Sequence, residues 1–160
     1  MKYSWLTIAE NERGVKEIRG SEAHPRIIEY HATTKLKATS DEVPWCSSFV
    51  NWVMAQAKYP RTNSAAARSW LEYGRETVPH FGAIAVFRRT GGNHVGFYVG
   101  ETSAAVRVLG GNQSNEVNVR LYRKSDLIGY RLPNKLNADD QRWHDAYIQS
   151  LAHKATRGII

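Results

Sequence analysis

Residues 94–112 read HVGFYVGETSAAVRVLGGN. Two runs, HVGFYVGE (94–101) and AVRVLGGN (105–112), alternate in character around the loop Thr102-Ser103-Ala104, the pattern of a β-hairpin. Pairing Glu101 with Ala105 and stepping outward sets His94 opposite Asn112 at the open end. Opposed residues in an antiparallel pair share a face, with Cβ atoms about 4.5–5.5 Å apart. A slip of one residue would send one of the two side chains to the other face.

Outward from the hairpin the same alternation continues. GAIAVFRR (82–89), NEVNVRLYR (115–123) and IGYRLP (128–133) complete about five short strands, separated by polar or glycine-containing turns that favour an antiparallel meander. Upstream of Pro79 the period is helical. Ser4 is placed to cap a helix running to about Lys16, and a short helical piece spans Arg26 to His31. From Cys46, the residues Phe49, Val50, Val53 and Ala57 follow on one helical face. Ser64 is placed to cap a further helix, AAARSWLEY, that stops at Gly74. Helices first and strands after predict an α+β fold, N-terminal helices packed on one face of an antiparallel sheet of about five strands. Residues 134–160 form a separate C-terminal helix, with Asn137 as its cap and Trp143, Tyr147 and Leu151 on one face.

The totals bound what such a fold can be. At 160 residues, 42% of them hydrophobic, with five Trp and eight Tyr, the chain can bury a core and is not a disordered sequence. A single cysteine rules out an intrachain disulfide. The net charge of +7 favours an anionic partner: nucleic acid, a lipid surface or a bacterial wall. No Lys/Arg run exceeds two residues and no aromatic–basic interleaving occurs, so nucleic acid is the least favoured of these. The N-terminal stretch lacks the apolar segment of a secretory signal, and no run approaches a membrane span. The expectation is synthesis in the cytoplasm and action elsewhere only after release or injection.

The one cysteine lies in DEVPWCSSFVNW (41–52), at the first turn of its helix. A helix start favours a thiolate, which would lower the thiol pKa, although a lone cysteine is more often a small core residue. Cys46, His94 and Asn112 together supply a thiol, a base and an orienting amide, the parts of a thiol nucleophile system. Trp45 beside the thiol either lines a substrate groove or packs in the core. Asp41 and Glu42 either meet an amino group of a substrate or act as acidic residues near a helix start. The remaining histidines show no metal-ligand spacing.

The motifs PWCSSFV (44–50), GAIAVF (82–87), HVGFYVG (94–100) and VLGGNQ (108–113), in this order, resemble the successive motifs of CHAP-type and NlpC-type cell-wall cysteine peptidases. The resemblance runs from about Trp5 to Pro133. It is strongest to a compact phage and bacterial branch that also carries ARSWL and a glutamate like Glu17 in GVKEIRG, for which the sequence suggests no physical role. It implies a papain-like core, with a peptidase or amidase domain at residues 1–133 and the C-terminal helix as an extension at 134–160. It implies peptidoglycan as substrate, Cys46 as nucleophile and His94 as base. The third polar group of such enzymes falls on Asn112, because the alternative glutamate position coincides with Gly110-Gly111; Gln113 is the fallback and otherwise a substrate contact, with Trp45 and Asp41. The regular Asp spacing of a calcium loop is not visible, so no metal or other cofactor is expected.

These readings converge on a peptidoglycan hydrolase, as an endolysin of a phage or prophage. An injected effector with the same chemistry, which would have an immunity protein as partner, and an inactive wall-binding module are the alternatives. The basic C-terminal helix adds an expected contact with an outer membrane.

Overall fold

The helix that starts at the cysteine, Cys46–Gln56 (α3), is the centre of the molecule, and its first nine residues are all buried. A helix buried on every side must satisfy its polar side chains internally. Ser47 Oγ donates to Ser64 O at 2.7 Å and accepts from Trp70 Nε1 at 2.9 Å. Asn51 Oδ1 accepts from the Asn63 backbone at 2.9 Å. Phe49, Val50, Val53 and Met54 join Trp5, Ile27, Tyr30, Val86, Val95, Phe97 and Leu109 in the main core. This computed structural model describes residues 2–19, 22–40 and 44–157.

Two short helices, Ser4–Asn11 (α1) and Pro25–His31 (α2), precede α3. The first stops well short of the Lys16 expected from the sequence. Gly14 takes φ +99°, and residues 14–17 then run alongside 115–117: Gly14 N–H donates to Val117 O, Val117 N–H to Val15 O, and Glu17 N–H to Asn115 O. Tertiary pairing has taken the last turn of the helix. The segment expected as a helix after Ser64 is a 3₁₀ turn over Ala67–Glu72.

The sheet has six strands rather than five: Arg75–Glu76 (β1), Ile84–Arg89 (β2), Gly92–Glu101 (β3), Ala105–Gly110 (β4), Asn118–Arg123 (β5) and Leu127–Leu132 (β6). All pairs are antiparallel, in the order β1-β6-β2-β3-β4-β5. The simple meander therefore fails at its last strand, since β6 crosses back to pair with β2. Only Lys124–Asp126 makes that crossing. In a flat sheet β5 and β6 would stand four strand spacings, or about 19 Å, apart. The four steps from Arg123 to Leu127 reach at most about 14 Å. The sheet must curl, and two bonds secure the crossing: Lys124 N–H donates to Ala104 O, and Arg88 donates to Ser125 O.

The curl gives the sheet two apolar faces. Ile84, Val86, Val95 and Phe97 face α3, whereas Ala85, Phe87, Tyr98, Val106, Val108 and Tyr130 form a second, concave cluster. The hairpin register places Phe97 opposite Leu109 and Tyr98 opposite Val108, as expected, but an irregularity near the loop sets Glu101 against Val106 rather than Ala105.

The C-terminal helix, Ala138–Thr156 (α4), begins at the Asn137 cap, whose Oδ1 accepts from Asp140 N–H at 2.8 Å. Asp140 is buried and caps α1 across the molecule, accepting from Ser4 N–H and Ser4 Oγ, both at 2.7 Å, and from Tyr59 OH at 2.5 Å. Trp143 packs on Tyr3, and the Tyr3 hydroxyl lies between His80 Nε2 at 2.8 Å and His144 Nδ1 at 2.6 Å.

Candidate active site

His94 enters the concave face of the sheet because it opposes Phe87 on β2. Its ring is fully buried and stacks on Tyr122, with centroids 4.6 Å apart and planes 10° apart. Its Nε2 lies 2.9 Å from Gln113 Oε1. The amide nitrogen of Gln113 is committed elsewhere, donating to Val108 O at 3.1 Å and to Asn118 O at 2.9 Å. Gln113 therefore presents only an acceptor to the ring, so Nε2 carries the proton and Nδ1 keeps its lone pair. That Nδ1 is buried and has no hydrogen bond among the described residues.

The amide that meets the imidazole is thus Gln113 and not Asn112. The register that would set Asn112 opposite His94 ends with β4 at Gly110, and Asn112 turns out of the ladder with φ +55°. Gln113 then folds back under the strand, 2% exposed. With its carboxamide fully engaged, it is not placed to meet a substrate. The two preceding glycines are required by close approach: a Cβ on Gly110 would lie 2.5 Å from Gln113 Oε1, and one on Gly111 would lie 2.7 Å from the Trp45 ring.

Cys46 comes to the same place from α3. Tyr98 N–H donates to Ala83 O on the β2 side. Strand alternation therefore turns Val95 N–H to the other side, where β4 has already stopped. The thiol occupies this notch. Burial pushes its pKa up, and the N–H groups of Val95 and Ser47, the Arg89 charge and its own N–H offset part of that rise. Burial likewise lowers His94 to about 4, against a raising effect of Gln113, with Arg89 lowering it further. The expectation of a thiol acidified by its helix start is thus reversed by desolvation. At neutral pH the resting pair is a thiol and a neutral imidazole. Tyr122 links the two: it stacks on His94, and its hydroxyl is pushed up to about 12 by burial first and then by the nearby Cys46 charge.

Trp45 does not line an open groove. It is fully buried, stacked on Tyr30, and its Nε1 donates to Glu17 Oε1 at 2.8 Å. This bond is the role that the sequence left unassigned for Glu17. Asp41 and Glu42 lie outside the described residues. Tyr122 and Arg89 were not anticipated; extending the strand register to β5 and counting two residues on from Phe87 would have found them. No three of His, Cys, Asp and Glu converge as a metal site among the described residues.

A thiol, a tautomer-fixed imidazole and an amide acceptor in this order can attack and release an acyl group. Comparison with known families agrees: the CHAP domain model matches residues 38–112, from before Cys46 to one residue short of Gln113. No curated protein matches the chain.

Proposed function

Because this chain carries a CHAP domain of the CHAP/NlpC-type cysteine peptidase superfamily, we propose that it hydrolyses an amide bond of peptidoglycan by a Cys46–His94–Gln113 thiol mechanism. CHAP domains are typically cysteine- and histidine-dependent amidases or peptidases of the cell wall. The observation that carries the reading is the Gln113–His94 hydrogen bond at 2.9 Å, which leaves Nδ1 as the free base.

The steps follow from the resting pair. As the Cys46 sulfur attacks the substrate carbonyl, its proton passes to His94 Nδ1. The imidazolium so formed is stabilised at Nε2–H by Gln113 Oε1. The carbonyl oxygen becomes an oxyanion at the start of α3, where no side chain caps the first-turn N–H groups. His94 then protonates the leaving amine as the C–N bond breaks. Water attacks the thioester, giving a proton back to His94, and the carboxylic acid leaves as the thiol reforms. The ion pair forms only with substrate present, since desolvation favours the neutral pair at rest.

The net charge of +7 suits an anionic wall, and a phage or prophage endolysin is the setting we assign. Digestion of purified sacculi, with fragments identified by mass spectrometry, tests the reading. Release of intact stem peptides from glycan marks an amidase, and separated cross-links or shortened stems mark an endopeptidase. Activity is expected to vanish in both Cys46→Ala and His94→Ala. Sacculi left intact by the unaltered protein, or digestion that survives either substitution, would refute it.

A further inference from the structure

His94 is steered by fewer hydrogen bonds than a base of fixed direction needs. Its Nε2 donates to Gln113, and its Nδ1 has no hydrogen bond among the described residues. The ring turns about the Cβ–Cγ bond, a torsion with broad preferences. Nε2 lies closer to that axis than Nδ1 does. A rotation that swings the Nδ1 lone pair away from the thiol therefore strains the Gln113 bond only slightly. A second group must set the plane of the ring.

Tyr122 reaches that ring from β5, which is two strands away from β3 in the sheet. In a flat sheet those strands stand about 10 Å apart. The ring centroids are nevertheless 4.6 Å apart, with planes 10° apart, because the curl folds β5 towards β3. Tyr122 also meets Phe87, the residue opposite His94 on β2, with centroids 5.2 Å apart. Among the described residues the Tyr122 hydroxyl forms no hydrogen bond, so ring packing holds the side chain in place. The face of such a ring carries the negative part of its quadrupole and attracts a cation laid over it. His94 needs a group of this kind. Burial disfavours a charge on the imidazole, the Gln113 bond favours one, and the Arg89 charge opposes it again.

We propose that Tyr122 is a positioning residue of the thiol mechanism: its ring face sets the plane of His94 and stabilises the imidazolium formed when Nδ1 takes the Cys46 proton. Gln113 holds the ring at its edge and Tyr122 holds it at its face, so the two act on different motions of one side chain. The hydroxyl has no part in this, and a phenyl ring serves equally well. The role rests on the Cys46–His94 reading, and not on which substrate or which amide bond is cut.

The test is the rate at which iodoacetamide alkylates Cys46 at pH 7 in the full chain. The sulfur displaces iodide after its proton has passed to His94, so the rate follows the ion pair without any substrate of the enzyme. Cys46 is the only cysteine, and the signal is therefore its own. Tyr122→Phe is expected to react within about twofold of the unaltered protein, and Tyr122→Leu roughly two- to thirtyfold more slowly. A second series replaces Tyr122 with phenylalanine bearing none, one, two and three ring fluorines. These rings keep the shape of the side chain and progressively weaken its attraction for a cation, so they decide even where Tyr122→Leu folds poorly. The rate is expected to fall stepwise along the series. Equal rates along it, or Tyr122→Leu as fast as Tyr122→Phe, would overturn the role. His94→Ala separates this from the mechanism beneath it. If His94→Ala is slow while the ring series is level, the thiol pair stands and the role of Tyr122 falls. If His94→Ala reacts as fast as the unaltered protein, both fall.

Discussion

At the scale of single residues, the site turns on which amide meets His94. Asn112 and Gln113 are adjacent in sequence but differ in what they can reach, because Asn112 sits in left-handed backbone and Gln113 is buried beneath the strand. Gln113→Ala removes the acceptor that fixes the tautomer and stabilises the imidazolium. It is expected to lower kcat/KM by about 10- to 100-fold, mostly through kcat. Asn112→Gly, which suits a positive φ, is expected to change kcat/KM by less than about threefold. Steady-state kinetics on a soluble fragment released from sacculi separates the two. The reverse order of effects would return the role to Asn112. The places of the thiol and the imidazole in the fold were legible from the sequence because Cys46 begins a strongly patterned helix and His94 lies within a strongly alternating strand. The amide was not, because the register was carried past the point where β4 ends, and the need for Gly110 is a contact with Gln113 that only the folded chain contains.

At the scale of elements, packing overrules local preference twice in the first helix. Residues 14–17 leave α1 to run beside 115–117, which is what delivers Glu17 to Trp45. The start of α1 is capped not by its own serine but by Asp140 of α4. The Asn137 cap was legible because it acts three residues along its own helix, whereas Asp140 acts across 136 residues of sequence. Asp140→Ala leaves Ser4 N–H, the Ser4 hydroxyl and the Tyr59 hydroxyl without their buried acceptor. The expected loss is about 3 kcal/mol, and Asp140→Asn should recover part of it. Urea denaturation with an unchanged slope measures this, and a loss below about 0.5 kcal/mol would mean that α4 is not anchored there.

At the scale of the whole molecule, the six-stranded curl escaped the sequence because β1 has two residues and the three-residue crossing to β6 reads like an ordinary hairpin turn. The curl has an energetic consequence. It buries His94 on its concave face, and the closing α4 buries His80 and half-buries His144 against Tyr3. In all three, burial lowers the folded-state pKa, to about 4 for His94. The sign follows directly: an unfolded histidine takes up its proton near pH 6.5, where these folded ones do not. Stability is therefore full above about pH 6.5 and declines as pH falls, the His94 contribution running out near pH 4. For His94 the fall from 6.5 to about 4 corresponds to about 3 kcal/mol. Carboxylates act in a different window. Glu101, held below its usual range by hydrogen bonds from Lys124 and Tyr98, loses its contribution only below about pH 4.5. A decline between pH 6.5 and 5 is thus the signature of the histidines. Urea denaturation at pH 7.5, 6, 5 and 4.5 should show it, and His94→Gln should remove the largest share. Stability that stays level from pH 7 to 5 would mean that these rings accept protons in place, and that the concave face is wetter than its packing implies.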